Sequence, residues 1–120
     1  MIEQEGRTIN NKSLTTDLYQ LKMAVGFEEH RTNDRAVYEL MFRKLSPDYG
    51  YFVANGLEQA VDYILNNQFT KEDTDYLAST GDFTREQLDA LRFMRYTGDI
   101  YMVAEGTPIG PNTPAMSFVG

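Results

Sequence analysis

Residues 35–44 read RAVYELMFRK, and their apolar side chains alternate along the chain. The even positions from 36 to 42 are all apolar, whereas the odd positions from 37 to 43 mix apolar and charged side chains. A period of two is typical of a strand, because successive side chains of an extended backbone point to opposite faces. This segment therefore predicts a strand with one apolar face and one mixed face, in a chain whose neighbouring segments have helical spacing.

The segment before this strand predicts a buried helix. Asp17 and Gln20 have the spacing of a capping box, which places the helix start near Thr16 or Asp17. Two adjacent apolar stripes follow at helical spacing and together make a wide apolar face. The first contains Leu14, Leu18, Leu21 and Val25, and the second contains Tyr19, Met23 and Phe27. We expect such a face to be well buried.

The segments after the strand predict three more helices. YFVANG, residues 51–56, reads as a short buried strand, and helical spacing resumes at Leu57. Thr70 resembles an N-cap, and the helix that it starts should end near Gly81. Thr84 begins a capping box, and a hydrophobic staple of Phe83 with Leu88 supports it.

Glycine and proline divide the last segment, DIYMVAEGTPIGPNTPAMSFV, residues 99–119. This pattern predicts strands joined by tight turns. These strands have too few partner strands within 120 residues, so we expect the chain to be the front of something larger. In that case the apolar side chains of this segment should form an exposed patch or be buried against another chain. These side chains are Ile100, Met102, Ile109, Met116 and Phe118.

The amino-acid composition excludes several classes of protein to which this chain could belong. The chain has 120 residues, 42% of them hydrophobic, with a net charge of −7 and no cysteine. An acidic balance argues against non-specific nucleic-acid binding, and the absence of cysteine excludes disulfides and thiol nucleophiles. No stretch approaches membrane-spanning length, and no leader peptide is recognisable. We expect a cytoplasmic protein.

Few residues point to chemistry, and each has an ordinary alternative. No catalytic set and no metal-ligand spacing is present, and the single histidine, His30, suits a helix C-terminus. Arg43 and Lys44 close an apolar strand, where they could present a cation to a phosphate or simply pair with nearby acids. Asp17 and Tyr19 could meet a planar ligand, or they could serve as cap and core. Sequence pattern alone leaves these alternatives open.

Five ordered blocks resemble the N-terminal region of nicotinate phosphoribosyltransferase, a type II phosphoribosyltransferase. They are TTDLYQLKMA, NDRAVYELMFRKL, GYFVANGLEQAVDYI, TGDIYMVAEG and PNTPAMSFVG. The resemblance runs from about Leu14 to the last residue. It departs at SPDYGY, where the family usually has Pro-Phe and glycines, and at Thr113, where it has an acid.

The resemblance implies an α+β fold. This would be an α/β-hammerhead-like N-terminal domain of helices and a mostly antiparallel sheet, without the phosphoribosyl-binding barrel. Residues 1–12 would be a mobile lead-in, and residues 13–120 the N-terminal domain, apparently truncated.

The resemblance also implies an activity and a site. The family forms nicotinate mononucleotide from nicotinate and phosphoribosyl pyrophosphate in NAD salvage, coupled to ATP hydrolysis, with Mg. It is homodimeric, and its site is shared between subunits. Tyr19 and Asp17 would line the base pocket of the neighbouring subunit, and Arg43 would bind phosphate. The catalytic groups would lie downstream, so this chain would contain none and would be inactive alone.

Two alternatives remain open. The chain could be a stand-alone, non-catalytic binding or dimerisation module derived from that domain. It could also belong to the related nicotinamide-specific enzyme, although TDLYQ and FRKL look more like the nicotinate branch.

Overall fold

The computed structural model describes residues 12–31 and 34–120. The predicted lead-in, residues 1–12, lies outside them except for Lys12. Four helices and five strands follow in the order α1 (Leu18–His30), β1 (Val37–Met41), β2 (Phe52–Val53), α2 (Leu57–Asn66), α3 (Lys71–Thr80), α4 (Arg85–Phe93), β3 (Asp99–Met102), β4 (Pro108–Ile109) and β5 (Pro114–Val119). The α+β prediction is confirmed. None of these helices is long and apolar enough to cross a membrane.

The chain divides into two compact units. The helical unit contains the described residues up to Asp34 together with Leu65–Arg95, and the sheet unit contains Arg35–Ile64 and Tyr96–Gly120. Each unit has its own apolar core. The chain passes from one unit to the other three times, so neither unit is a continuous segment.

Capping residues define the helices of the helical unit. Thr70 and Thr84 are N-caps whose side chains accept hydrogen bonds from the backbone N–H groups of Asp73 and Gln87, as predicted. Gly81 ends α3 in the left-handed conformation, with φ of 75°. The core of this unit contains Leu21, Val25, Phe69, Leu77 and Leu91, with Phe83 and Leu88 packed against it.

Strand β5 is the centre of the three-stranded sheet. It pairs antiparallel with β1 on one side and with β3 on the other. Met116 therefore lies between Leu40 and Met102, and its side chain is 1% exposed. A separate two-stranded ladder pairs β2 with β4. The core of the sheet unit joins Ala54, Leu57, Ile109, Ala115 and Met116.

Three burial predictions were wrong. Helix α1 buries only Leu21 and Val25, whereas the second stripe, Tyr19, Met23 and Phe27, is at least half exposed. Strand β2 is only partly buried, since Val53 is exposed. The apolar residues of the last segment form no general exposed patch, because Ile109 and Met116 are core residues and Ile100 and Phe118 pack against them. Of those five residues only Met102 is exposed.

Candidate functional site

The first turn of α1 combines a cap with an exposed ring. Asp17 is the N-cap and forms the predicted capping box, in which its backbone N–H donates to Gln20 Oε1 at 3.1 Å. Tyr19 is the second residue of the helix, and it is 61% exposed. The ring is therefore not a core residue of this chain. The carboxylate of Asp17 also lies at the surface.

The helix places this ring on a rigid support. Leu21 and Val25 anchor α1 in the core of the helical unit, and Met23 and Phe27 continue the exposed side of the helix beyond Tyr19. Side chains four residues apart lie above one another on a helix surface. An exposed phenol is thus followed by two apolar side chains, which gives one apolar strip along α1.

Arg43 and Lys44 are two adjacent cations near the end of β1. Both are exposed, and they follow β1 after one intervening residue, Phe42. Among residues 12–31 and 34–120, neither forms an ion pair or a side-chain hydrogen bond. The four ion pairs found there involve other cations, such as Lys71 with Asp75 at 2.5 Å.

The backbone beside Arg43 is held in place. The Phe42 carbonyl accepts a hydrogen bond from the Asn112 N–H at 2.8 Å, and the Phe42 ring stacks on Phe52 with centroids 4.1 Å apart. Asn112 has φ of 56°, in the left-handed region that asparagine tolerates. The β4–β5 turn therefore supports the backbone just beyond β1, next to the exposed Arg43.

The predicted site residues belong to different units. Asp17 and Tyr19 are part of the helical unit, and Arg43 is part of the sheet unit. His30 lies in the last turn of α1, exposed, with Nε2 3.8 Å from a Glu29 carboxylate oxygen, which fits a surface role. Within the described ranges, no group of three histidine or acidic residues could hold a metal ion.

Sequence reasoning missed Glu105. Its two carboxylate oxygens accept hydrogen bonds from the backbone N–H groups of Gly56 and Glu58, at 3.1 and 3.0 Å. These donors lie at the start of α2, where the partial positive charge of the helix favours an anion. Glu105 is thus a remote cap, and no local spacing could have indicated a partner nearly fifty residues away.

The described residues form an α+β domain, with the Tyr19 ring exposed on the helical unit and Arg43 and Lys44 exposed on the sheet unit. The model of the nicotinate phosphoribosyltransferase (NAPRTase) N-terminal domain family matches residues 14–120. The chain belongs to this family, and the resemblance noted in the sequence is confirmed.

Known relatives agree with this assignment. The chain is 39% identical over 107 residues to a nicotinate phosphoribosyltransferase of Mycobacterium tuberculosis, covering 89% of this chain and 23% of the relative. It is 37% identical over 105 residues to the Bacillus subtilis enzyme of that name, covering 87% of this chain and 21% of the relative.

A solved structure supports the fold. The crystal structure of human nicotinic acid phosphoribosyltransferase matches with a TM-score of 0.74 and 28% identity, over 88% of this chain and 22% of the human chain. The chain thus spans under a quarter of the length of each of these proteins.

Proposed function

We propose that this chain is the N-terminal part of a nicotinate phosphoribosyltransferase of NAD salvage. The whole enzyme would join nicotinate to phosphoribosyl pyrophosphate, giving nicotinate mononucleotide and pyrophosphate with coupled ATP hydrolysis. It would act in the cytoplasm as a homodimer. The observation that carries the proposal is the exposed Tyr19 ring on the capped first turn of α1.

Tyr19 would form one wall of the base pocket of the neighbouring subunit. Its ring is exposed on a helix that the core holds rigid, so it offers a flat face to a pyridine ring. Aromatic stacking contributes about 1 kcal/mol beyond simple burial. Asp17 would lie beside the ring as a hydrogen-bond acceptor while also serving as the N-cap.

Arg43 would bind phosphate. A guanidinium has two parallel donors that match phosphate oxygens, and Arg43 has no ion-pair partner among the described residues. ATP and Mg²⁺ would bind mainly through the rest of the enzyme.

A chimera tests the proposal. Residues 14–120 would replace the matching region of the Bacillus subtilis relative, and formation of nicotinate mononucleotide would be measured. We expect an active chimera and an inactive isolated chain, because the chain lacks an acid–base and phosphate cluster. A chimera that prefers nicotinamide, or an active isolated chain, would contradict the proposal.

Variants of the chimera assign the roles of the two residues. Tyr19→Ala should raise the KM for nicotinate about tenfold, equivalent to roughly 1.4 kcal/mol, and Tyr19→Phe should retain most affinity. Tyr76→Ala, another exposed tyrosine, is the matched control. Arg43→Ala should weaken phosphoribosyl pyrophosphate or ATP more than nicotinate, and Arg85→Ala is its control. If Arg43→Ala weakened the binding of all substrates equally, Arg43 would be an ordinary surface residue and not a phosphate ligand.

A further inference from the structure

The pairing of β1 with β5 is irregular at the end of β1. Leu40 lies opposite Met116. The next residue of β1, Met41, lies opposite Pro114, so the register skips Ala115. One extra residue in one strand is a β-bulge, which bends the chain and re-aims side chains, and bulges are frequent beside functional sites. The chain therefore leaves β1 in a direction that a regular ladder would not give it.

Asn112 supplies a hydrogen bond where the regular ladder cannot. Pro114 has no backbone N–H, so it donates nothing to β1. Two residues earlier, the Asn112 N–H donates to the Phe42 carbonyl at 2.8 Å. This carbonyl belongs to the peptide group that joins Phe42 to Arg43. The bond from Asn112 therefore holds the peptide group from which Arg43 begins.

This hydrogen bond depends on an uncommon backbone conformation. Asn112 has φ of 56°, and among the described residues it is the one non-glycine residue with a positive φ. Contact between Cβ and the backbone disfavours this conformation, most for β-branched residues and least for glycine and asparagine. Asparagine at this position thus allows the turn between β4 and β5 to direct its N–H at Phe42.

The ring of Phe42 is held as well as its carbonyl. It stacks on the Phe52 ring, with centroids 4.1 Å apart and an angle of 28° between the ring planes. Phe52 in turn pairs with Ile109, a core residue of the sheet unit. Both ends of Phe42 are thus attached to the folded core, whereas the next residue, Arg43, is exposed.

We propose that Asn112 is a positioning residue for Arg43. By holding the peptide group between Phe42 and Arg43, it sets the direction in which the guanidinium leaves the sheet unit. A displacement of about 1 Å caused by a remote change can cost roughly a hundredfold in rate. Asn112 acts through the backbone of Phe42 and does not itself contact the substrate. The inference rests on the phosphate-binding role of Arg43 in the proposed function.

The test uses the chimera with the Bacillus subtilis relative and measures the KM for each substrate. Asn112→Val keeps the N–H but disfavours the positive φ. It should raise the KM about tenfold for whichever substrate Arg43→Ala weakens, phosphoribosyl pyrophosphate or ATP. The KM for nicotinate should change by less than about twofold. Asn112→Gly keeps both the N–H and the positive φ, so it should retain the unmodified KM. Asn55→Val is the matched control, because Asn55 is an exposed asparagine of the same unit without a positive φ, and it should change neither KM.

A double variant separates positioning from stability. If Asn112 acts only through Arg43, adding Asn112→Val to Arg43→Ala should leave the KM about tenfold raised, whereas independent effects would multiply to about a hundredfold. A purely structural role would raise the KM for nicotinate as well. If the Asn112→Val chimera does not fold, Asn112→Ala, which disfavours the same φ less strongly, takes its place in the comparison.

The outcomes distinguish this inference from the proposed function. A clear effect of Arg43→Ala with no effect of Asn112→Val, or with an equal effect of Asn112→Gly, would overturn the positioning role alone. No effect of Arg43→Ala would overturn the phosphate-binding role and the inference together. In the isolated 120-residue chain, the amide at position 112 should exchange with solvent at least about tenfold more slowly than in the Asn112→Val chain. Equal exchange in the two chains would refute the hydrogen bond on which the inference depends.

Discussion

Replacing Gly98 with alanine should destabilise the sheet unit severely. A Cβ built on Gly98 would lie 2.3 Å from the Val119 carbonyl oxygen, 2.7 Å from the Tyr96 hydroxyl and 2.9 Å from the Gly120 Cα. Two of these three atoms belong to the backbone, so no rotamer change can relieve the clash. Strand β3 begins at the next residue, Asp99, which pairs with Val119. The methyl group must therefore push β3 away from β5.

Overpacking a well-packed site costs about 1–3 kcal/mol. Because the obstacle here is a paired strand, we expect the upper end, about 3 kcal/mol of unfolding free energy. Urea unfolding, monitored by far-UV circular dichroism, measures this loss of unfolding free energy. If the unfolding free energy falls by about 2 kcal/mol per molar urea, the urea concentration at the unfolding midpoint should fall by roughly 1.5 M.

Gly26→Ala is the matched control. Gly26 lies inside α1, and a Cβ there would meet nothing within 4 Å. Alanine should therefore stabilise the helix by about 0.5–1 kcal/mol, through its higher helix propensity. A Gly98→Ala chain as stable as the unmodified chain would refute the close approach of β3 and β5. A destabilised Gly26→Ala chain would refute the open surroundings of that position.

The same unfolding assay checks three further changes. Glu105→Ala should cost about 1–2 kcal/mol, because two N–H donors at the start of α2 lose a charged acceptor. Glu105→Gln should cost less, since it keeps an acceptor oxygen, and equal stability of all three chains would exclude the remote cap. Leu91→Ala should cost about 2–5 kcal/mol, since Leu91 is 0% exposed, and a loss below about 1 kcal/mol would contradict that burial. Thr84→Ala should cost about 1 kcal/mol through loss of the α4 cap, whereas Thr84→Ser should be nearly neutral.

Features set by neighbours in sequence were predicted well. The caps at Thr70 and Thr84 and the end of α3 at Gly81 were placed correctly, because each depends on residues within one helical turn. The strand around residues 37–41 was recognised from its period of two. The family resemblance was also carried by short ordered blocks, and the comparisons confirm it.

Features set by distant residues were not predictable. The apolar stripe of Tyr19, Met23 and Phe27 has the same composition as a buried one, and only the packing of the other helices leaves it exposed. The hydrogen bonds of Glu105 likewise depend on which segments meet in space. The local sequence pattern does not indicate contacts between distant segments, so the candidate site was less predictable than the helices.

The central place of β5 has a consequence for how the sheet forms. Among the described strands, β1 pairs only with β5, so β1, complete at Met41, lacks that partner until Pro114–Val119 has been synthesised. During that interval the ribosome extends a nascent chain in which Val37, Tyr38 and Leu40 lie in an unpaired strand. Pairing across so long a separation is slow, and unpaired strand edges invite association with other chains. The edge of β1 is therefore open to association with other chains until β5 has been synthesised.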